Sequence, residues 1–284
     1  MLKPRPDRPI DPLTRSVIRD VKAVTTDIGL DVFLVGATAR IILLENVYGL
    51  HTGRATRDID FAFAIETWDE FQTIKDCLTA TAAFKDEGRL AHRLSYQTAN
   101  EPHRCVVDLI PFGGLEHAPN TVAWPPDMHI LMNVAGYRDA HTSAVTVEIE
   151  PGLHMPIASL PGLAVLKLIA WIERGQETPK DAIDLLALLR QYHQAGNQER
   201  VYETAAAALE AAHYDIEQAG AWLLGRDVAA MSSPTTRAPL NALFTQPARI
   251  ERLVIDMSRA NPAQAQAPHN AQALLEQFIL GFGE

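Results

Sequence analysis

Apolar residues change their spacing along the chain near residue 158. Before that point, short apolar runs typical of strands alternate with segments in which apolar residues recur every three to four positions, as in helices. After it, the spacing is helical and alanine-rich to the end. The pattern predicts an α/β domain over 1–158 followed by an all-α domain over 159–284, and hence an α+β fold class for the whole chain.

The pattern also places the individual elements. In the first domain it predicts helices over 13–28, 38–48 and 68–84. The predicted strands cover 31–35, a stretch that begins at Asp58, 91–98, 104–110, and a hairpin over 144–149 and 154–158. A polar loop is predicted over 51–56. The second domain is predicted to hold helices near 160–174, 179–194, 198–211, 215–224, 239–258 and 270–281. Breaks are predicted at Gly175, Gly196, Gly225, Pro234 and Pro239, with a linker over 263–267.

Two carboxylates stand one residue apart in the strand that begins at Asp58. Alternate residues of a strand point to the same side, so Asp58 and Asp60 project together while the apolar residues between and after them project to the other face. Like charges held that close repel each other unless a cation lies between them. An oxygen-only pair suits Mg²⁺, which takes one or two carboxylates together with phosphate oxygens and water.

A small-residue turn at Gly36 and Ala37 separates the apolar run 31–35 from the helix that follows it. The start of a helix offers backbone N–H groups and the positive end of the helix dipole, which together favour phosphate binding. A phosphate cradle combined with a magnesium pair points to nucleotide chemistry.

Asp108 is a third acidic position, in the middle of the apolar strand 104–110, where a buried unpaired carboxylate is costly. If this strand lies beside the Asp58 strand, Asp108 completes a three-carboxylate cluster able to hold two metal ions, one on a triphosphate and one beside the attacking hydroxyl. Asp108 then either binds the second ion or accepts the hydroxyl proton. The alternative is an aspartate at a strand edge that only caps a loop.

Two cations share one face of the helix 160–174. Lys167 and Arg174 lie seven residues apart in a stretch that is otherwise apolar. A lysine in such a stretch either extends to solvent or meets an anion, so Lys167 has a structural and a phosphate-binding interpretation. The spacing leaves both open.

The next helix begins with a set of charges that has a purely structural interpretation. Thr178 is predicted as the N-cap, with Asp181 reaching back to it in a capping box. Lys180 and Asp184 lie four residues apart and fit a surface ion pair. Only a family resemblance gives these residues a claim to function.

Composition narrows the classes of protein that fit. The formal net charge of −10 weighs against non-specific coating of nucleic acid, although a local basic groove remains compatible with it. No signal peptide and no apolar stretch of membrane-spanning length is found, so no membrane contact is expected. With only two cysteines, no disulfide framework is indicated and a cytoplasmic location is expected. The histidines show no metal-ligand spacing, and no serine-nucleophile turn, P-loop or dinucleotide fingerprint occurs.

The chain resembles the DNA polymerase β-like nucleotidyltransferase superfamily in its Gly36-Ala37 turn, in the stretch Thr56-Arg57-Asp58-Ile59-Asp60-Phe61, and in Asp108 on a later strand. It resembles the AbiEii/MenT-type toxin branch of that superfamily in two later stretches. These are Ser159-Leu160-Pro161 through Lys167, and Lys180-Asp181-Ala182-Ile183-Asp184-Leu185. The matching elements span about residues 30–190, and the chain beyond them matches nothing. The resemblance implies a nucleotidyltransferase-type mixed sheet with flanking helices.

The resemblance also implies an activity. Such an enzyme binds a nucleoside triphosphate (NTP) as co-substrate with two Mg²⁺ ions and transfers the nucleotidyl group to a hydroxyl. The implied acceptor is a tRNA 3′ end, and an antitoxin protein is typically encoded alongside. The implied catalytic and metal-binding residues are Asp58, Asp60 and Asp108. The implied nucleotide-binding residues are Gly36, Ala37, Thr38, Arg40, Ser159, Lys167, Lys180 and Asp181.

One residue departs from the family pattern. The family turn usually carries Gly-Ser or Gly-Gly, whereas Ala37 supplies no hydroxyl, so Thr38 or backbone N–H groups would have to serve. The gap from Ala37 to Asp58 is also longer than usual. The departure at Ala37 motivates a competing function, a nucleotide-binding module that kept the cradle without turnover. A second competitor is a nucleotidyltransferase that modifies a protein hydroxyl instead of RNA.

Overall fold

The structure, a computed structural model, describes residues 1–51, 56, 58–88, 90–98, 101–118, 120–259 and 267–284, except for the side chains of 101–103 and 267–269. The chain divides into two compact units, Met1–Ala158 and Ser159–Glu284. The predicted loop 51–56 and the predicted linker 263–267 lie almost wholly outside the described residues.

The first unit contains both strands and helices. Its described strands are β1 (Asp31–Val35), β2 (Asp58–Ile65), β3 (Phe84–Asp86), β4 (Arg93–Thr98), β5 (Glu101–Gly113), β6 (Thr121–Trp124), β7 (Ile130–Asn133), β8 (Val145–Glu150) and β9 (Leu153–Ile157). Its described helices are α1 (Pro12–Asp27), α2 (Gly36–Ile41), which continues as a π-helical segment (Ile42–Val47), α3 (Trp68–Ala80) and α4 (Tyr137–Thr142).

Seven of these strands form one mixed sheet in the order β3-β4-β5-β2-β1-β9-β8, and β6 and β7 pair separately. At its centre β2 runs antiparallel to β1 and parallel to β5. Apolar side chains from these central strands, including Phe33, Phe61 and Phe63, are fully buried. Phe33 meets Phe112 of β5 edge-on, with ring centroids 5.8 Å apart. This mixed sheet with its helices confirms the predicted fold class.

The first unit differs from the prediction in its smaller elements. The helix predicted over 68–84 ends at Ala80, and Phe84 instead begins the edge strand β3. Phe84 packs against Tyr96 of β4, with ring centroids 4.9 Å apart, so a tertiary contact determines its conformation. Helix α4 and the strands β6 and β7 were not predicted.

The second unit is helical, as predicted. Its described helices are α5 (Leu160–Arg174), α6 (Lys180–Gln191), α7 (Gln198–Glu203), α8 (Ala206–Ala211), α9 (Ile216–Met231), α10 (Pro234–Phe244), α11 (Pro247–Ser258) and α12 (Ala267–Gly283). The predicted helix 198–211 is therefore two short helices. The predicted helix 239–258 also divides, and its first part begins upstream at Pro234.

Two residues predicted as helix breaks lie inside helices. Helix α9 continues through Gly225, and α10 contains Pro239. A Cβ at Gly225 would overlap the carbonyl of Phe278, and one at Gly281 would overlap the carbonyl of Trp222. These glycines therefore allow α9 and α12 to pack backbone to backbone, which is a packing role and not a break.

Candidate active site

The bend at Gly36 joins the end of β1 to the start of α2. Gly36 has a φ of +71°, a conformation that L-residues with a side chain rarely adopt. A Cβ at this position would also overlap the carboxylate of Asp60. The bend and the first acidic pair are therefore in direct contact, and the contact requires glycine.

Three carboxylates converge beside this bend. In the parallel pairing of β2 with β5, Asp60 is the register partner of Asp108, while Asp58 lies two residues earlier on the same side of β2. Each carboxylate offers one oxygen such that the three oxygens lie within 4.8 Å of one another. Asp58 and Asp60 are half-buried and Asp108 is buried. The strand adjacency assumed for Asp108 in the sequence is present.

Arg93 binds the third carboxylate, that of Asp108. The sequence pattern did not predict a role for Arg93. Arg93 of β4 is the antiparallel register partner of Asp108. Its Nε donates to Asp108 Oδ1 at 2.7 Å and its second terminal nitrogen donates to Oδ2 at 2.7 Å. These hydrogen bonds raise the pKa of the Arg93 guanidinium, and the charges of Asp58 and Asp60 act in the same direction. A fully charged arginine therefore adjoins the acidic cluster.

Two threonines fix the Asp58 end of the cluster. The Thr56 hydroxyl donates to the Asp58 carboxylate. The Thr38 hydroxyl, which is buried, donates to the Asp58 carbonyl oxygen at 2.9 Å. Thr38 thus ties the start of α2 to β2, and its hydroxyl is already engaged. Arg57, which lies between Thr56 and Asp58 in the sequence, is outside the described residues.

The other predicted residues of the turn are buried. Ala37 is 5% exposed and Arg40 is 1% exposed. Arg40 is thus a buried residue of the first unit, and its role toward the nucleotide stays a prediction. The phosphate cradle formed by the backbone of the bend at Gly36 also stays a prediction.

A cavity of about 550 Å³ opens beside Asp58. Asp58, Thr38 and Thr56 contribute polar groups to its wall, and Ile41 and Ile42 contribute apolar ones. Polar and apolar residues thus share the wall, and small-molecule sites likewise combine apolar surface with polar groups that orient the ligand. Asp58, one of the three carboxylates, therefore borders a space of ligand size.

The charged residues of α5 and α6 form a separate buried network in the second unit. Lys167 Nζ lies 3.0 Å from Asp181 Oδ1 and 2.7 Å from Asp184 Oδ2, and Arg174 pairs with Asp181 at 2.8 Å. Both aspartate side chains are 1% exposed. Burial alone would raise the pKa of Asp181, but Arg174 and Lys167 outweigh it and the net pKa lies below its ordinary value.

This network corrects two structural interpretations of the sequence. Asp181 does not reach back to cap α6, because its carboxylate is held by Lys167 and Arg174. Asp184 is not a surface partner of Lys180, because it is buried against Lys167. Lys180 itself is exposed at the start of α6.

Ser159 is the N-cap of α5. Its side chain accepts a hydrogen bond from the Gly162 backbone N–H at 3.2 Å, and it is 9% exposed. This is an ordinary capping role, which satisfies one of the unpaired donors at a helix start.

The donor set fits a hard divalent cation. The three converging ligands are all carboxylate oxygens, which Mg²⁺ and similar ions prefer to nitrogen or sulfur. The mutual repulsion of the carboxylates gives a cation a further reason to bind there. Among the residues that the structure describes, no helix combines the length and apolarity needed to cross a membrane.

A mixed sheet that carries an acidic triad beside a glycine bend is the arrangement expected of the nucleotidyltransferase class of enzymes. Residues 23–278 match the family model described as nucleotidyl transferase AbiEii toxin, type IV toxin–antitoxin system. The chain belongs to this family and is a nucleotidyltransferase. The family implies an NTP substrate, a divalent metal ion and an antitoxin partner.

Solved structures resemble the chain at low sequence identity. The antibiotic-resistance factor ANT(2'')-Ia is 15% identical with a TM-score of 0.40, and the match covers 72% of this chain and 99% of that one. JHP933 from Helicobacter pylori is 14% identical with a TM-score of 0.42, over 95% and 91% of the two chains. The Thermotoga maritima CCA-adding enzyme, solved with tRNA, is 10% identical with a TM-score of 0.27, over 97% and 84%. No curated protein matches the chain.

Proposed function

We propose that this enzyme transfers a nucleoside monophosphate from an NTP to an acceptor hydroxyl, with Mg²⁺ held by Asp58, Asp60 and Asp108. The observation that carries the proposal is the convergence of these three carboxylates within 4.8 Å beside the Gly36 bend. When bound, Mg²⁺ supplies neutralisation of phosphate charge and alignment of the attacking oxygen with the phosphorus. We propose two ions, the first on the carboxylate pair of β2 and the second on the carboxylate of β5.

Each residue has a defined part in this proposal. Asp58 and Asp60 hold the cation, and Asp108 either completes its ligand set or accepts the proton of the acceptor hydroxyl. The backbone N–H groups after Gly36 bind the triphosphate, because the Thr38 hydroxyl is already engaged with Asp58. The 550 Å³ cavity beside Asp58 offers room for the base or sugar.

The proposed acceptor is a tRNA 3′ end, which follows from the AbiEii/MenT-type resemblance. A cytoplasmic location, where tRNA and NTPs occur together, is part of the same proposal. The roles of Ser159, Lys167, Lys180 and Asp181 toward the nucleotide stay predictions from that resemblance. Lys167 and Asp181 already have partners within the second unit.

Replacement of Asp58 by asparagine tests the proposal. The change keeps the side-chain shape and removes the charge, so label transfer from α-labelled NTPs to total tRNA should fall at least about 10²-fold. Asp27→Asn is the matched control, because Asp27 is an exposed carboxylate at the end of α1. All four triphosphates are used, and circular dichroism verifies folding.

The same assay separates the competing functions. Wild-type transfer in the Asp58 variant would refute the proposed role of the triad. When the labelling is repeated in a cell lysate, label that survives RNase identifies a protein acceptor. Magnesium-dependent NTP binding without pyrophosphate release identifies a module without turnover, for which Ala37 is the motivating residue.

A further inference from the structure

The Asp108 carboxylate on β5 is bound by a residue of β4, the neighbouring strand on the side opposite to β2. Arg93 and Asp108 are direct cross-strand partners, and both oxygens of Asp108 accept hydrogen bonds of 2.7 Å from the guanidinium. Such a two-pronged, charge-assisted pair is among the stronger polar contacts in proteins. Asp108 is therefore held in place by a cation that belongs to the protein itself.

The position of this cation conflicts with a second metal ion. A divalent ion on Asp108 would share its oxygens with the guanidinium, and two like charges at one carboxylate repel each other. Arg93, Asp108 and Asp60 are neighbours in register across three strands, so Asp108 lies between Arg93 and Asp60. Asp58 is also on β2, in register with Val106. A first ion on the β2 pair is therefore compatible with Arg93 in place, whereas an ion on Asp108 competes with it.

The Arg93 side chain is more accessible than the Asp108 carboxylate that it holds. The Arg93 side chain is 43% exposed and that of Asp108 is 11% exposed. Arg93 also lines a second cavity, of about 210 Å³, together with Glu87 and Ser95. This space gives the guanidinium room to rotate away from the strand, toward solvent or toward a phosphate.

We propose that Arg93 is a positioning residue that occupies the place of the second cation on Asp108 and yields it when a substrate phosphate arrives. The inference rests on the proposed function, since it takes the acidic triad as the cation site. It adds that the enzyme without substrate binds one divalent ion tightly, and that Arg93 sets the ion concentration needed to bind the second.

Metal titration without nucleotide tests this directly. Mn²⁺ serves as the probe, and free Mn²⁺ is followed by electron paramagnetic resonance for the wild type, Arg93→Gln, Arg93→Lys and Asp58→Asn. Loss of a hydrogen-bonded charge pair should tighten binding of the second Mn²⁺ roughly tenfold or more in Arg93→Gln. Arg93→Lys keeps the positive charge and loses the two-pronged hydrogen bonding of the guanidinium. Its affinity for the second Mn²⁺ should therefore lie between those of Arg93→Gln and the wild type.

Two controls make the effect specific to Asp108. Arg19 forms an equally two-pronged pair with Glu150, at 2.7 and 2.8 Å, at the edge strand β8. Arg19→Gln should therefore leave Mn²⁺ binding at the wild-type level. In an Asp108→Asn background, Arg93→Gln should have no further effect, because the shared carboxylate is gone.

The outcomes distinguish this inference from the proposed function. Unchanged Mn²⁺ binding in Arg93→Gln, with binding abolished in Asp58→Asn, overturns the role of Arg93 and leaves the triad as the metal site. Equal tightening in Arg19→Gln also overturns it, because the effect would then be one of net charge. Mn²⁺ binding that is unaffected by Asp58→Asn overturns both proposals.

Discussion

Replacement of Gly36 by alanine adds a single methyl group at the bend beside the acidic triad. Gly36 has a φ of +71°, where an L-residue costs roughly 1–2 kcal/mol. Gly29 has the same φ of +71°, but a Cβ there would meet no heavy atom within 4 Å. Gly29→Ala therefore reproduces the backbone strain of Gly36→Ala without its steric conflict.

The steric conflict sets the difference between the two variants. A Cβ at Gly36 would overlap Asp60, and overpacking of this kind costs roughly 1–3 kcal/mol in addition to the backbone strain. The total for Gly36→Ala is roughly 2–5 kcal/mol. At roughly 2–4 °C per kcal/mol for domains of this size, its Tm should fall by roughly 4–20 °C, against roughly 2–8 °C for Gly29→Ala.

The functional consequence is larger than the loss of stability. Relief of the overlap must move the Asp60 carboxylate, and a displacement of about 1 Å can cost 10²-fold in rate. Nucleotidyl transfer and Mn²⁺ binding are measured at a temperature where both variants are folded. Gly36→Ala should lose most of both, and Gly29→Ala should lose neither. Transfer by Gly36→Ala within about threefold of Gly29→Ala would refute the contact between bend and triad as a functional one.

Two further predictions concern the buried charges and the cysteines. Lys167→Met leaves the buried carboxylates of Asp181 and Asp184 with one cation fewer, so the free energy of unfolding in denaturant should fall by roughly 3 kcal/mol at neutral pH. The pKa of Asp181 lies below its ordinary value, so its ion pairs stabilise above about pH 4 and the difference between variant and wild type should narrow as the pH falls further. A difference that stays constant from pH 7 to acid would contradict this. Burial raises the pKa of the Cys105 thiol to about 12, so iodoacetamide at pH 8 should label the half-buried Cys77 first, and equal labelling by peptide mass spectrometry would contradict the burial.

The acidic triad was predictable because its geometry is mostly local. Asp58 and Asp60 share a side through the two-residue period of a strand, which no tertiary contact alters. Gly36 was recognisable as a turn because a glycine between an apolar run and a helical pattern is a strong turn signal. The position of Asp108 beside Asp60 needed one assumption, the adjacency of two strands, and the parallel register of β2 and β5 fulfils it.

Arg93 was not predictable by counting along the hairpin. At the end of β4, Thr98 pairs with Glu101, and continuing in that register would place Arg93 opposite Val106. An irregularity between Tyr96 and Thr98 shifts the register, so that Arg93 faces Asp108. A β-bulge of this kind has no clear sequence signature, and it decides which side chain adjoins the third carboxylate.

Burial distinguishes two charge clusters that look alike in the sequence. Asp181 and Asp184 are almost inaccessible and closed against Lys167, so opening them to a ligand would break buried ion pairs. Asp58 and Asp60 are only half-buried, and Asp58 borders a cavity, so a cation can reach them without that loss. In the sequence, both clusters are acidic residues near a basic helix or a turn, and their spacing does not distinguish them. The exposure of the carboxylates, which depends on how the chain packs, makes the triad the site that can take a ligand.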